Sequence, residues 1–125
     1  MQSALKIVFI DDHEGIRDGL GQMLTQKNAV LSFVYASNSV QALELSELNP
    51  DIQVAVIDIN LDGENGLLLV SNLRRTIPDI KIIVYTMYSD ALHIELALKT
   101  GIEGYVTKDS KMDELEKAFK LPPRK

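Results

Sequence analysis

Polar side chains follow four short apolar segments of this sequence, each at the point where the segment ends. The segments are residues 7–10, 54–57, 82–85 and 105–107, and the polar residues after them are Asp11-Asp12, Asp58, Thr86 and Lys108. Carboxylates are ligands that Mg²⁺ accepts, and ammonium groups make strong hydrogen bonds to phosphoryl oxygens. Three carboxylates, a hydroxyl and an ammonium therefore suit a divalent cation together with a phosphoryl group.

The elements that must position these residues are predicted from the apolar pattern. Short β-branched segments alternate with helical patterns, which indicates βα units around a parallel sheet. Strands one, three and four are apolar throughout, as expected when helices cover both faces of the sheet. Strands are predicted at about 5–11, 30–36, 53–58, 80–86 and 104–107, and helices at about 14–26, 39–48, 66–76, 90–100 and 110–120.

Capping residues support the predicted helix limits. The second helix follows Ser37-Asn38-Ser39, Ser89 or Asp90 precedes the fourth, and Ser110 precedes the fifth. Gly101 is expected to end the fourth helix as its C′ residue. Asn65-Gly66 is a common hairpin signal, but the residues after it have helical spacing, so we interpret it as a loop that enters the third helix.

The predicted sheet would bring the polar residues together. In an open parallel sheet, the carboxyl ends of the strands share one edge, where ligands bind. Two carboxylates about 5 Å apart repel each other by roughly 3 kcal/mol at an effective dielectric constant near 20, and burial would raise their pKa values. A magnesium ion would relieve this repulsion, so the sequence predicts a Mg²⁺ site at Asp11, Asp12 and Asp58, with Lys108 within reach.

Each residue also has a structural explanation when it is taken alone. Asp11 with Glu14 three positions later fits a capping box of the first helix. Lys108 fits an exposed lysine whose stem lies along the surface, and Thr86 fits a β-branched residue at a strand end. His13 is interpreted as a solvent-exposed residue at a helix start, with no metal role. The ordered set at successive strand ends favours the cation and phosphoryl hypothesis.

Composition excludes several other classes of protein. The chain has 125 residues, near the commonest size of a single domain, and a net charge of −5 that disfavours nucleic-acid binding by this chain alone. It has no cysteine, which excludes a disulfide scaffold and fits a reducing cytoplasm. No apolar run approaches the roughly 20 residues that span a bilayer. We expect a cytoplasmic domain without a membrane partner.

The motifs resemble those of the receiver domain of bacterial two-component response regulators, over roughly residues 5–120. The resemblance rests on Asp11-Asp12, Asp58, Thr86, Gly104-Tyr105 and Lys108. The segments 11–13 and 104–110 are most similar to the nitrate-regulator (NarL/FixJ) branch, whose receivers usually precede a LuxR-type helix-turn-helix. The resemblance implies a flavodoxin-like, doubly wound five-stranded parallel sheet of order 2-1-3-4-5 with five helices.

The resemblance also implies a role for each site residue. Asp58 would be the phosphorylated nucleophile, and Mg²⁺ would be held by Asp11, Asp12, Asp58 and the backbone carbonyl of Asn60. Lys108, Thr86 and the backbone N–H groups of Met87 and Asn60 would contact the phosphoryl group. The donor would be a phosphohistidine on a sensor histidine kinase, or a small acyl phosphate. Such a domain is not an enzyme in its own right, although it assists its own phosphorylation and dephosphorylation.

A switch between two arrangements would carry the signal, and in this family it involves the positions of Thr86 and Tyr105. Ile94, Ala97 and Leu98 share one face of the fourth helix and are predicted to lie in the core. The opposite face would then form a partner surface with strand five and helix five, made by Leu92, Leu96, Lys99 and Tyr105. A homodimer linked to phosphorylation would use this surface. Two scattered exposed leucines are the simpler alternative.

The domain division follows from the same resemblance. Residues 1–120 would form the receiver, and residues 121–125 would begin a linker or form a disordered tail, since Pro122 and Pro123 cannot continue a helix. DNA would be contacted only through a C-terminal output domain absent from this chain.

Two departures from the family pattern leave alternatives open. Asp62 stands where the family usually has proline, and Met87 stands where it usually has a small residue. One alternative is a degenerate receiver that acts as a constitutive docking module. Another is a small Mg²⁺-dependent aspartyl phosphatase, which is disfavoured because Asn60 occupies the position of its general acid.

Overall fold

The computed structural model describes residues 5–27, 31–61 and 63–120, with side chains described for these except at residues 14, 16, 17 and 24–27. Five parallel strands form the sheet: β1 (Leu5–Ile10), β2 (Leu31–Ala36), β3 (Val54–Ile57), β4 (Lys81–Thr86) and β5 (Gly104–Thr107). Their order is β2-β1-β3-β4-β5. This confirms the predicted flavodoxin-like topology.

Five α-helices connect and follow the strands: α1 (Glu14–Lys27), α2 (Ser39–Leu48), α3 (Val70–Thr76), α4 (Ala91–Thr100) and α5 (Met112–Phe119). Successive strand residues face opposite sides of the sheet, so the apolar strands contribute to a core on each face. Val8, Ile10 and Ile57 pack with Ala42 of α2 and Leu73 of α3. Ile7, Phe9 and Val56 pack on the other face with Leu115 and Phe119 of α5.

The helix ends agree with the sequence except at α5. The Asn38 side chain caps α2 by accepting from the Gln41 N–H at 2.9 Å, and Asp90 caps α4 by accepting from the His93 N–H. Gly101 ends α4 with a φ of 90°, a left-handed conformation that glycine adopts without strain.

The expected Ser110 cap of α5 is wrong. The helix begins at Met112 after Lys111, which makes no side-chain capping bond. The Ser110 hydroxyl instead forms a hydrogen bond with the hydroxyl of Thr107, the last residue of β5, at 2.7 Å.

The prediction that Leu98 lies in the core is also wrong, since 61% of this residue is exposed. Ala97 is fully buried, and Ile94 is partly buried. Helical spacing placed 94, 97 and 98 on one face, but the core contacts α4 along a narrower line centred on Ala97, which packs with Val84, Ile59 and Leu67. Leu98 lies outside that line because a helical residue turns 100° from its neighbour.

The loop after β3 contains a small hairpin and a turn of 3₁₀ helix. Asn60–Leu61 pairs with Glu64–Asn65 in antiparallel fashion, and the 3₁₀ turn Gly66–Leu69 leads into α3. The Asn65 side chain caps this turn by accepting from the Leu67 N–H at 3.0 Å. Asn65-Gly66 therefore enters the third helix, as predicted, although that helix is 3₁₀ in its first turn. Asp62 lies outside the described residues.

Among the helices that the structure describes, none has both the length and the apolar character that crossing a membrane requires.

Candidate functional site

Strand register brings the polar residues to one edge of the sheet. Ile10 is paired with Ile57, so the next residues, Asp11 and Asp58, lie side by side. The Asp58 N–H donates to the Ile10 carbonyl at 3.2 Å. Thr86 on β4 is paired with Thr107 on β5, and Lys108 follows directly. The predicted convergence of these side chains at the carboxyl edge is therefore present.

Lys108 joins two aspartates that are far apart in the sequence. Its Nζ donates to Asp11 Oδ2 at 2.7 Å and to Asp58 Oδ2 at 2.8 Å. All three side chains are at most 8% exposed. Burial alone would lower the pKa of Lys108, but hydrogen bonds and charge from Asp11 and Asp58 outweigh burial and raise it. Lys108 is thus a buried cation and not an exposed surface lysine.

Asp11 and Asp12 form a second contact with His13. Asp11 Oδ1 accepts from the His13 backbone N–H at 2.9 Å, and the ring Nδ1 lies 2.9 Å from Asp11 Oδ1 and 3.0 Å from Asp12 Oδ1. Asp11 Oδ1 therefore stabilises the turn just before α1, while Asp11 Oδ2 accepts from Lys108. The side chain of Glu14, the partner in the alternative capping box, lies outside the described side chains.

Donor atoms that suit a metal ion are close together at this edge. One oxygen of Asp11, one oxygen of Asp12 and a ring nitrogen of His13 lie within 4.8 Å of one another. Asp58 does not belong to this mutually close group of described residues, although it shares Lys108 with Asp11. His13 is the feature that the sequence analysis did not anticipate, and its position directly after the acidic pair was the available signal.

Thr86 contributes a buried hydroxyl to the site. The residue is 1% exposed, and among the residues that the structure describes, none forms a hydrogen bond with Thr86 Oγ1. A buried polar atom without a partner is costly. A ligand oxygen beside Thr86 could therefore accept a hydrogen bond from this hydroxyl.

The loop after β3 approaches Asp58 closely. The Asn60 N–H donates to Asp58 Oδ1 at 3.1 Å. A Cβ atom on Gly66 would lie 2.0 Å from the Asp58 carbonyl oxygen, so only glycine fits there without a shift of the backbone. Met87 follows Thr86 at the edge and is 67% exposed.

Tyr105 on β5 faces the segment that follows β4. Its hydroxyl donates to the Tyr88 carbonyl at 2.6 Å, and the Tyr88 ring stacks on His93 of α4 with a centroid distance of 4.0 Å. Burial raises the pKa of Tyr105, and the charges of Asp90 and Asp58 raise it further. Leu92, Leu96 and Lys99 are all exposed on α4, as the predicted partner surface requires.

The residues present fit a hard cation. Asp11, Asp12 and Asp58 bring carboxylate oxygens to one edge of the sheet, where Asp11 and Asp58 share Lys108. Mg²⁺ binds through one or two carboxylates, other oxygens and water. Because Asp11 and Asp58 are buried, a dication there would offset negative charge that Lys108 neutralises in part.

Comparison with known proteins gives the class to which this fold and site belong. Residues 7–120 match the family model described as the response regulator receiver domain. The chain belongs to this family.

Among individual relatives, the chain is 34% identical over 119 residues to the nitrate/nitrite response regulator NarL of Escherichia coli K12, covering 94% of this chain and 54% of that protein. It is 32% identical over 121 residues to the transcriptional regulatory protein DegU of Brevibacillus brevis, covering 96% of this chain and 50% of that protein. The chain thus spans about half the length of these curated relatives. The predicted similarity to the NarL/FixJ branch is confirmed.

Solved structures agree with this assignment. A two-component response regulator of the LuxR family from Aurantimonas superimposes with a TM-score of 0.84 at 26% identity, covering 94% of this chain and 83% of that chain. A response regulator from Burkholderia pseudomallei, which carries a phosphorylated aspartic acid and a calcium ion, gives a TM-score of 0.82 at 25% identity, covering 91% and 65%. The chain is therefore a signalling receiver domain.

Proposed function

We propose that Asp58 is the residue that accepts the phosphoryl group. The observation that carries the proposal is the position of Lys108, whose ammonium lies between the buried carboxylates of Asp11 and Asp58 at 2.7 and 2.8 Å. The buried Thr86 hydroxyl, which lies one strand away and has no hydrogen-bond partner within the described part of the chain, supports it. An ammonium and a hydroxyl beside a buried carboxylate are the donors that a new phosphoryl group on Asp58 would require.

The reaction is a transfer of a phosphoryl group between two nucleophiles. One carboxylate oxygen of Asp58 attacks the phosphorus of a phosphohistidine, and the bond between phosphorus and the imidazole nitrogen breaks. The electron pair of that bond returns to the imidazole, and Asp58 becomes an acyl phosphate. With a small acyl phosphate as donor, the bond to the leaving carboxylate breaks in the same way. The protein contributes position and charge more than covalent chemistry.

Asp11, Asp12, Asp58 and the Asn60 carbonyl would hold Mg²⁺. When bound there, Mg²⁺ supplies positive charge that offsets the charge on the transferring phosphoryl group. Lys108 then keeps its contact with Asp11 and donates to a phosphoryl oxygen in place of Asp58. The Asn60 N–H, the Met87 N–H and the Thr86 hydroxyl donate to the remaining oxygens.

The output follows from a switch at Thr86 and Tyr105. Movement of the Thr86 side chain toward the phosphoryl group would free space beside β5, and Tyr105 would then give up its hydrogen bond to the Tyr88 carbonyl and turn inward. The surface of Leu92, Leu96, Lys99 and Tyr105 would change shape as a result. A local charge that biases one of two arrangements is a common signalling device.

We infer the partners of this chain from its family, since the structure contains a single chain. The donor would be a sensor histidine kinase in the cytoplasm. A homodimer would form through the α4 and β5 surface, and DNA would be reached only through a C-terminal output domain that follows residues 121–125. The domain would also catalyse the hydrolysis of its own aspartyl phosphate, with no other substrate.

Beryllofluoride with Mg²⁺, which mimics an aspartyl phosphate, tests the proposal. We expect NMR amide shifts at Thr86, Tyr105 and Lys108 in the native chain and none of them in Asp58→Asn. The matched control is Asp51→Asn, an exposed aspartate at the opposite edge of the sheet, which should respond as the native chain does. The same shifts in Asp58→Asn would show that the acceptor lies elsewhere.

A further inference from the structure

A groove of about 850 Å³ crosses the amino edge of the sheet, at the opposite end from Asp58. It lies where the α2–β3 and α3–β4 connections meet. Pro50, Ile52, Ile77 and Pro78 give it an apolar wall, and Asp51 and Asp79 lie along it. No residue of the proposed phosphorylation site lines this groove.

The chain leaves α5 beside this groove. Lys81, which lines it, donates from Nζ to the Phe119 carbonyl oxygen at 2.6 Å. Phe119 also packs in the same core cluster as Val54 and Leu5, which line the groove on β3 and β1. The described chain therefore ends at Lys120, one residue after a carbonyl group that a groove residue holds.

The length and composition of that segment match the groove. Residues 121–125 read Leu-Pro-Pro-Arg-Lys. In a polyproline II conformation they would extend about 15 Å, at 3.1 Å per residue. The groove runs from Lys81 on β4 past Val54 on β3 to Leu5 on β1, two strand spacings or about 10 Å. The segment is long enough to cross it.

Charge is complementary as well. The segment ends in Arg124 and Lys125, whereas the groove carries Asp51 and Asp79 and one cation, Lys81, whose Nζ donates to the Phe119 carbonyl. The Asp51 side chain is 70% exposed, and its contact with Lys6 is a long one at 3.3 Å, so it remains open to a second cation. A leucine and two prolines suit the apolar wall, and proline rings restrict the free chain and so reduce the entropy lost on docking.

We propose that residues 121–125 dock in this groove, with the apolar residues on the wall of Pro50, Ile77 and Pro78 and the two basic residues beside Asp79 and Asp51. The direction in which the chain leaves the domain is then set by the amino edge of the sheet. This docking does not depend on phosphoryl transfer at Asp58.

A spin label tests the docking directly, because the chain has no native cysteine. Lys125→Cys carrying a nitroxide keeps Arg124 as the basic residue. We expect the amide signals of Gln53 and Asp79 to lose most of their intensity, while those of Tyr88 and Asp90 at the far edge keep theirs. The loss should be the same at low and high protein concentration and should shrink at high salt.

Charge reversal distinguishes a signal loss caused by docking from one caused only by the attachment of the labelled segment to the end of α5. Asp51→Lys with Asp79→Lys should restore the signals of Gln53, whereas the exposed control Glu95→Lys on α4 should leave the loss unchanged. Thermal melting checks that each variant is folded.

Four results would overturn the proposal. Retained intensity in the labelled native chain would indicate a frayed tail. A loss that survives the double charge reversal would indicate proximity without docking. If the label on one molecule reduced the amide intensities of unlabelled molecules, the occupant would be a second copy of the chain. If a label at Gln2→Cys reduced the intensities and a label at Lys125→Cys did not, the groove would be assigned to residues 1–4.

Discussion

At the scale of single residues, the site depends on one lysine that neutralises two buried carboxylates. Lys108 has two charged partners and an elevated pKa, with the partners outweighing the opposing effect of burial. Removing one member of a buried ion pair leaves an uncompensated charge, which commonly costs about 3–5 kcal/mol. A metal ion at the same carboxylates would replace part of the lost charge.

Lys108→Met should therefore lose about 3 kcal/mol of unfolding free energy in EDTA, by analogy with other broken buried pairs. Mg²⁺ should restore more stability to this variant than it adds to the native chain. Urea unfolding with and without Mg²⁺ measures both effects. The matched control is Lys99→Met on α4, an exposed lysine whose loss should cost little. A Lys108→Met variant as stable as the native chain in EDTA would contradict the buried ion pair.

Gly66 is the second residue on which the site geometry depends. Gly66→Ala would force a Cβ to 2.0 Å from the Asp58 carbonyl oxygen, and overpacking of this kind typically costs about 1–3 kcal/mol. We expect a lower melting temperature and slower phosphorylation from acetyl phosphate. Gly19→Ala in α1, where a Cβ meets nothing within 4 Å, should instead be neutral or stabilising, by up to about 1 kcal/mol. Equal effects of the two substitutions would argue against a close approach at Gly66.

At the scale of elements, an ion pair between a partly exposed arginine and a buried glutamate joins α3 to the chain between α4 and β5. Arg74 Nη2 lies 2.7 and 2.9 Å from the two Glu103 oxygens, and Arg74 Nη1 donates to the Gly101 carbonyl. Glu103 Oε1 also accepts from the Ile82 N–H at 2.6 Å, and its side chain is only 3% exposed. This cluster fixes the end of α4 relative to the sheet.

Glu103→Gln should cost several times more stability than Glu95→Gln, which removes the exposed pair Glu95–Lys99 at 3.2 Å. Exposed pairs contribute about 0–1 kcal/mol, whereas the buried Glu103 carboxylate also accepts from the Ile82 N–H, and hydrogen bonds to a charged group contribute about 1.5–3 kcal/mol each. Urea unfolding of the two variants provides the comparison, and equal costs would contradict the structural role of the cluster.

Asp90, which caps α4, should have a pKa below the ordinary value of an aspartate. The side-chain hydrogen bond from His93 is the main cause that lowers the pKa of Asp90. A carboxyl whose pKa is lower in the folded state stabilises the fold above the unfolded-state pKa, and the stabilisation is lost as the pH falls through the folded-state value. NMR titration of the Asp90 carboxyl should show this low pKa in the native chain and a higher one in His93→Ala. An unchanged pKa in His93→Ala would exclude His93 as the cause.

At the scale of the whole molecule, the sequence was enough to predict the sheet and the edge that carries the site. The apolar segments fix the strands, and parallel register then places Asp11, Asp58, Thr86 and Lys108 at one edge whatever the details of the helices. The features that the sequence did not predict depend on how each helix is rotated against the sheet and on which side chains come into contact. The exposure of Leu98, the pairing of Ser110 with Thr107 and the Arg74–Glu103 cluster all belong to this kind.

The contacts of His13 illustrate the same limit at the site itself. Its spacing from Asp11 and Asp12 was visible in the sequence, but the turn that folds its ring back onto both carboxylates is a property of the three-dimensional chain. Under our two proposals, the carboxyl edge of the sheet would receive the phosphoryl group and the amino edge would hold residues 121–125.

Intact mass spectrometry after incubation with acetyl phosphate and Mg²⁺ tests the central claim most directly, followed by peptide mapping of the modified side chain. We predict that the native chain gains the mass of one phosphoryl group on Asp58, that EDTA prevents the gain, and that Asp58→Asn gains nothing. A phosphoryl group on another residue, or an unchanged gain in Asp58→Asn, would contradict the assignment of the acceptor.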